Sequence, residues 1–152
     1  LVIPGGESTT LLNLMRDEPW FEALRRFHDQ GGALFGTCAG AILLAREVRP
    51  AQTSLGLLDA VVERNAYGRQ AESFETRLEA TGVGATDAVF IRAPRFRALG
   101  PGVETLASLD GEPVCVRAGR ILAATFHPEL TTSTGLHRLF VGMAEGARAR
   151  CA

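Results

Sequence analysis

Ala33-Leu34-Phe35-Gly36-Thr37-Cys38-Ala39-Gly40-Ala41-Ile42-Leu43-Leu44-Ala45 decides the fold class of this chain of 152 residues. Ala33-Leu34-Phe35 reads as the end of a buried strand, and Ala41–Ala45 as a helix former built of small and aliphatic residues. Between them, the glycines of Gly36-Thr37-Cys38-Ala39-Gly40 let the chain turn sharply. Cys38 therefore sits at a strand-to-helix corner, its thiol at the tip of the strand and the first helical amides facing the same space. The positive end of a helix dipole favours a thiolate there, and a neighbouring imidazole would favour it further. The plainer reading is a tight turn that happens to contain cysteine.

The same alternation extends upstream. Leu1-Val2-Ile3 reads as the interior of a buried strand running into the turn Pro4-Gly5-Gly6-Glu7-Ser8. Ser8 or Thr9 is expected to cap a helix over Thr10–Arg16, with Leu11, Leu12, Leu14 and Met15 on its apolar face. A second helix is expected from Pro19 through His28, where Trp20, Phe21, Leu24 and Phe27 recur at helical spacing and Gly31-Gly32 ends the run. The helix after the cysteine corner is expected to reach about Arg46. Strand, helix, strand, helix is the pattern of an α/β fold: a mostly parallel sheet with helices on both faces, in three layers.

Downstream the segments are shorter. Leu58–Arg64, Ser73–Ala80, Ala88–Ile91 and Val103–Leu109 read as strands, some of them antiparallel. Pro113–Arg117 and Ile121–Phe126 form a hairpin around Ala118-Gly119-Arg120, and its second arm delivers Phe126-His127-Pro128-Glu129. A last helix is expected from Thr134 to Arg148, with Leu136, Leu139, Phe140 and Met143 on one side. Cys38, His127 and Glu129 make a candidate triad of nucleophile, base and orienting carboxylate. Both motifs end strands expected to be parallel, and active sites gather at the carboxyl ends of such strands.

Composition bounds the function. A hydrophobic content of 46% over this length supports one core and a single domain, 1–152. With 16 basic and 17 acidic side chains, no electrostatic grip on nucleic acid or anionic lipid is expected. Three scattered cysteines make neither a disulfide framework nor a zinc site, so no metal is expected and a reducing cytoplasm is the natural compartment. No apolar run approaches the roughly 20 residues that cross a bilayer. Cys115 and Cys151 read as structural, and His28 and His137 as surface or packing residues. The opening Leu1-Val2-Ile3, without Met, suggests that an amino-terminal segment of the domain is missing.

The remaining motifs each carry two readings. Pro4–Ser8 is a glycine-rich turn, or a source of backbone donors for an oxyanion, with Ala39 N–H as second donor and Glu7 or Ser8 binding a polar substrate end. Glu63-Arg64-Asn65-Ala66-Tyr67-Gly68-Arg69-Gln70 is a solvated loop, or it brings Arg64 to a carboxylate. Arg92, after Val89-Phe90-Ile91, has the same alternatives.

Taken together, Pro4–Thr9, Gly36–Gly40, Glu63–Gln70, Phe90–Pro94 and Phe126–Leu130 resemble the glutaminase subunit of pyridoxal 5′-phosphate synthase, a class I triad glutamine amidotransferase with a flavodoxin-like fold. The cysteine corner and His-Pro-Glu belong to the wider amidotransferase class, and the other motifs point to this family. The resemblance implies that Cys38 attacks the side-chain amide of L-glutamine, His127 moves the protons and Glu129 holds the imidazole. It implies glutamine binding by Gly6, Glu7, Ser8, Arg64, Ile91 and Arg92, with Ile91 acting through its backbone, and Gly6 and Ala39 as oxyanion donors. It also implies a hetero-oligomeric partner, a barrel-fold synthase subunit that receives the ammonia, and no cofactor for the hydrolysis. Family members begin with a strand-helix unit that has no counterpart here. Two rivals stand beside this reading: a related cysteine hydrolase, peptidase-like or stress-protein-like, and a non-catalytic subunit that keeps the fold.

Overall fold

The computed structural model describes residues 1–66 and 73–148. Tyr67–Gln70 of the polar motif, and Cys151, lie outside the described residues. Ten strands and four helices follow in chain order among those described: β1 (Val2–Ile3), α1 (Ser8–Leu14), α2 (Trp20–Asp29), β2 (Leu34–Thr37), α3 (Ala39–Leu44), β3 (Ala45–Arg49), β4 (Leu58–Glu63), β5 (Phe74–Ala80), β6 (Gly84–Phe90), β7 (Arg95–Leu99), β8 (Glu104–Leu109), β9 (Glu112–Ala118), β10 (Ile121–Ala124) and α4 (Gly135–Arg148). A 3₁₀ turn, Pro128–Leu130, follows β10.

A central sheet has the order β1-β2-β10-β9-β8, flanked by a β3-β4-β7 sheet and a β5-β6 pair. Strand alternation divides the core in two. Leu34, Ile121 and Ala123 point to one face, where they pack with Leu24 of α2, Leu43 and Leu44 of α3, and Leu58 and Val62 of β4. Phe35, Leu122 and Ala124 point to the other, against Leu136 and Phe140 of α4 and Leu78 and Phe90 of the β5-β6 pair. Each such buried side chain contributes roughly 1.5–3 kcal/mol through its removal from water. The result is the expected three-layer α/β architecture.

Parallel pairing is concentrated where the cysteine lies. β1 pairs with β2 and β2 with β10 in parallel, as does β3 with β4. The other four pairings, β9-β10, β4-β7, β5-β6 and β8-β9, are antiparallel, so the antiparallel share is larger than the sequence implied.

Several boundaries differ from expectation, each for a local reason. Helix α1 starts at Ser8 rather than Thr10, because Glu7, and not Ser8 or Thr9, is the cap: its carboxylate accepts from the amides of Thr9 and Thr10. Helix α3 stops at Leu44 rather than Arg46, and Ala45–Arg49 leaves as a strand paired with β4. Pro50 favours extended backbone at the residue before it. β7 was hidden by its arginines. Phe96 alone is deeply buried there, while Arg95 and Arg97 turn outward to Glu112 and Glu63. Within Leu1-Val2-Ile3, Ile3 is buried and Val2 is 50% exposed, and among the described residues β1 pairs with β2.

Candidate active site

Because β1, β2 and β10 run parallel and adjacent, their carboxyl ends emerge side by side. β1 delivers Pro4-Gly5-Gly6, β2 delivers Cys38, and β10 delivers His127 three residues past its end. The backbone fixes each arrival. Cys38 N–H donates to Ala124 C=O at 2.8 Å, and His127 N–H donates to Val89 C=O at 2.8 Å, which ties the histidine to β6.

Glycines make the approach possible. A Cβ on Gly40 would lie 2.0 Å from the Ile3 carbonyl oxygen, and one on Gly5 would lie 2.3 Å from His127 Cε1, so neither position accommodates a side chain without displacing its neighbour. Cys38 itself has φ 48° and ψ −104°. That is left-handed territory a cysteine adopts only where its surroundings impose it. Among the described residues four non-glycine positions have positive φ, and three of them, Cys38, Asn65 and Arg92, line the same cavity.

The imidazole stands between its partners. His127 shares the cavity wall with Cys38, and its Nδ1 lies 2.8 Å from Glu129 Oε1. The contact with Cys38, and then the hydrogen bond to Glu129, push the imidazole up to about 9 against the opposing effect of burial. Half-burial raises the Glu129 carboxyl, but hydrogen bonds from His127, the backbone and Thr37 outweigh it and leave it below its ordinary value. The three members named from sequence are thus brought together across 91 positions.

The cavity above the thiol has a volume of about 220 Å³ and is lined by Gly6, Glu7, Ser8, Arg64, Ile91 and Arg92, with Ile42 and Asn65 beside the Cys38 and His127 already described. Every residue assigned to glutamine from sequence therefore borders one space. Two backbone bonds gather it: Arg64 N–H donates to Arg49 C=O of β3, and Ala66 N–H to Ala93 C=O, which sets residues 64–66 against β3 and the loop after β6. Two side chains are already committed. Glu7 binds Thr9, Thr10 and Arg64, the guanidinium lying 3.2 Å from Oε1, and the hydrogen bond from the Thr9 hydroxyl leads the effects that hold its carboxyl low. Ser8 is 2% exposed and its hydroxyl donates to Gln52 Oε1 at 2.9 Å. Ala39 opens α3 directly after Cys38. Among the described residues, no three His, Cys, Asp or Glu side chains gather as a metal centre would require, and no helix is long and apolar enough to cross a membrane.

This geometry has close relatives. A family model, the SNO glutamine amidotransferase family, matches residues 1–146. The chain belongs to that family. It is 58% identical over 147 residues to the pyridoxal 5′-phosphate synthase subunit PdxT of Thermus thermophilus, covering 95% of this chain and 77% of the relative. It is 52% identical over 156 residues to the PdxT subunit of Deinococcus radiodurans, covering 98% and 79%. A crystal structure of a glutamine amidotransferase superposes with a TM-score of 0.90 at 55% identity, covering 95% of this chain and 78% of that one.

At this candidate site, four residues were missed from sequence. Ile42 and Asn65 line the cavity, Gly5 packs on the imidazole ring, and Thr37 donates to Glu129. Gly5 and Thr37 stand inside motifs singled out above, yet nothing in the spacing says which way a side chain, or a missing one, faces. His28 and His137 lie elsewhere. His28 Nδ1 meets the Gly32 carbonyl at 3.2 Å, and the His137 ring packs edge-on to Phe35.

Proposed function

We propose that this chain is the glutamine-hydrolysing subunit of a pyridoxal 5′-phosphate synthase, acting through Cys38, His127 and Glu129. The observation that carries the reading is the strained corner at Cys38 set against an imidazole that is itself oriented by a carboxylate. Family membership and the PdxT relatives supply the substrate and the pathway, vitamin B6 synthesis.

Glutamine enters the cavity with its side-chain amide over Cys38. Arg64 and Arg92 bind the α-carboxylate, and Glu7, Ser8, Gly6 and the Ile91 backbone hold the rest of the amino acid's polar end. Since Glu7 and Ser8 spend their side chains on the protein, their share falls mainly to backbone amides. The thiol proton passes to His127, and the sulfur attacks the amide carbon. The Gly6 and Ala39 amides receive the developing oxyanion. His127 returns its proton to the departing nitrogen, which leaves as ammonia, and a glutamyl thioester remains. Water, deprotonated by the same imidazole, then releases glutamate and regenerates the thiol. Glu129 keeps Nδ1 protonated, so that Nε2 is the atom that exchanges protons with sulfur.

Ammonia that reached bulk water at neutral pH would become ammonium and lose its nucleophilicity. Transfer within a complex, to a barrel-fold synthase subunit, avoids that loss. The test is glutamate release from glutamine by the full chain, with and without the synthase subunit, joined to labelling by a glutamine-like electrophile. Release, and an adduct on Cys38, are expected. Absence of release in both cases, with the thiol intact, overturns the reading.

A further inference from the structure

Glu129 is an awkward residue on which to hang a triad. It lies in a 3₁₀ turn of three residues and its side chain is 37% exposed, so little packing holds it. Thr37 supplies what packing does not. Its side chain belongs to the apolar face that carries Phe35, it is 2% exposed, and its hydroxyl lies 3.4 Å from Glu129 Oε1, the same oxygen that meets His127 Nδ1. A hydroxyl buried on such a face needs a partner, and this carboxylate is the one the geometry offers. Register puts it there: Thr37 pairs with Ala124 across β2 and β10, so the ends of the two strands are level.

We infer that Thr37 is a positioning residue for the triad, anchoring the Glu129 carboxylate so that the imidazole stays aimed at the neighbouring Cys38. The contacts then close a ring. Thr37 is bonded covalently to Cys38 and donates to Glu129; Glu129 orients His127, and His127 meets Cys38. The nucleophile's own strand thereby sets the direction of its base. The role rests on the triad reading above.

The groups that face His127 are Cys38 from the α3 corner and Glu129 from the 3₁₀ turn, with Glu7, Arg64 and Arg92 on the cavity wall. Thr37→Val keeps the shape and removes the donor; Thr37→Ser restores it. With the full chain and its synthase partner, Thr37→Val is expected to lower kcat/KM for glutamine about tenfold, the scale of one hydrogen bond to a charged group. KM is expected to change little, and the alkaline limb of the pH profile to move to lower pH, because a loosened carboxylate supports the imidazolium less. Thr37→Ser is expected to return both. Should Thr37→Val fail to fold, Thr37→Ser against Thr37→Ala makes the same comparison of hydroxyl present and absent. Wild-type rate and an unmoved limb without the hydroxyl overturn the inference. So does equal loss in the serine variant with a lowered melting temperature and an unmoved limb, which marks a role in packing alone. Activity that survives Cys38→Ala would instead sink the triad reading, so the two failures are distinguishable.

Discussion

The corner between β2 and α3 and the middle of β9 each bury a cysteine, on strands that flank the same residue, Ala124. Cys115 is fully buried in a regular ladder, and burial pushes its thiol up to about 12. It is a small hydrophobe. Cys38 is only 5% exposed, yet it sits at φ 48°, touches an imidazole and borders a cavity. The residue type and the degree of burial barely differ. What separates them is backbone position: a ladder surrounds its thiol with carbon, whereas a strand end opens toward polar groups arriving from neighbouring strands.

The sharpest way to break this contrast is to remove the sulfurs. Cys38→Ala is expected to abolish glutaminase, by about a thousandfold or more, while leaving binding to the synthase measurable. Gly5→Ala should come next, with a loss of about a hundredfold in kcat/KM, since the new methyl must displace the His127 ring from its line with Cys38. Steady-state kinetics with the folded variant checks it, and near-normal activity would mean that the ring tolerates the shift.

The pH dependence separates the regions in another way. His127 is raised in the folded protein from about 6.5 to about 9. Its contribution to stability is therefore complete below about pH 6.5 and lost as pH rises through about 9. Denaturant titrations of wild type and His127→Ala should show a stability gap that narrows across that window. Activity that needs the imidazolium should fall on the same alkaline limb. Cys115→Ala should have the smallest effect, leaving glutaminase within about twofold and costing about 1 kcal/mol of stability through a lost buried sulfur. A large drop in activity there would show that the two regions are coupled.

Legibility followed the reach of local rules. The corner was readable because glycine, cysteine and glycine between an apolar strand and a helix former have few other uses, and His127-Pro128-Glu129 because a strand ends there. Their meeting depended on β2 and β10 being parallel neighbours, which apolar runs alone do not specify. Ser8 shows the limit from the other side. Its place in the glycine-rich turn suggested a substrate ligand, but a residue 44 positions away, Gln52, takes its hydroxyl. Arg64 read equally well as part of a solvated loop until the bond from Ala66 N–H to Ala93 C=O set its neighbour against the loop carrying Arg92.

By itself, then, the sequence determined the α/β class and the sharp corner at Cys38, because these follow from periodicity and glycine freedom over a few neighbouring residues, and it named the thiol, imidazole and carboxylate of the candidate site. Tertiary structure alone decided that Gly5 faces an imidazole, that Thr37 reaches Glu129, and that Arg64 and Arg92 share one cavity. Those contacts are set by strand order and register, which bring residues from distant parts of the chain within a few ångströms, and no local pattern encodes which of them will meet.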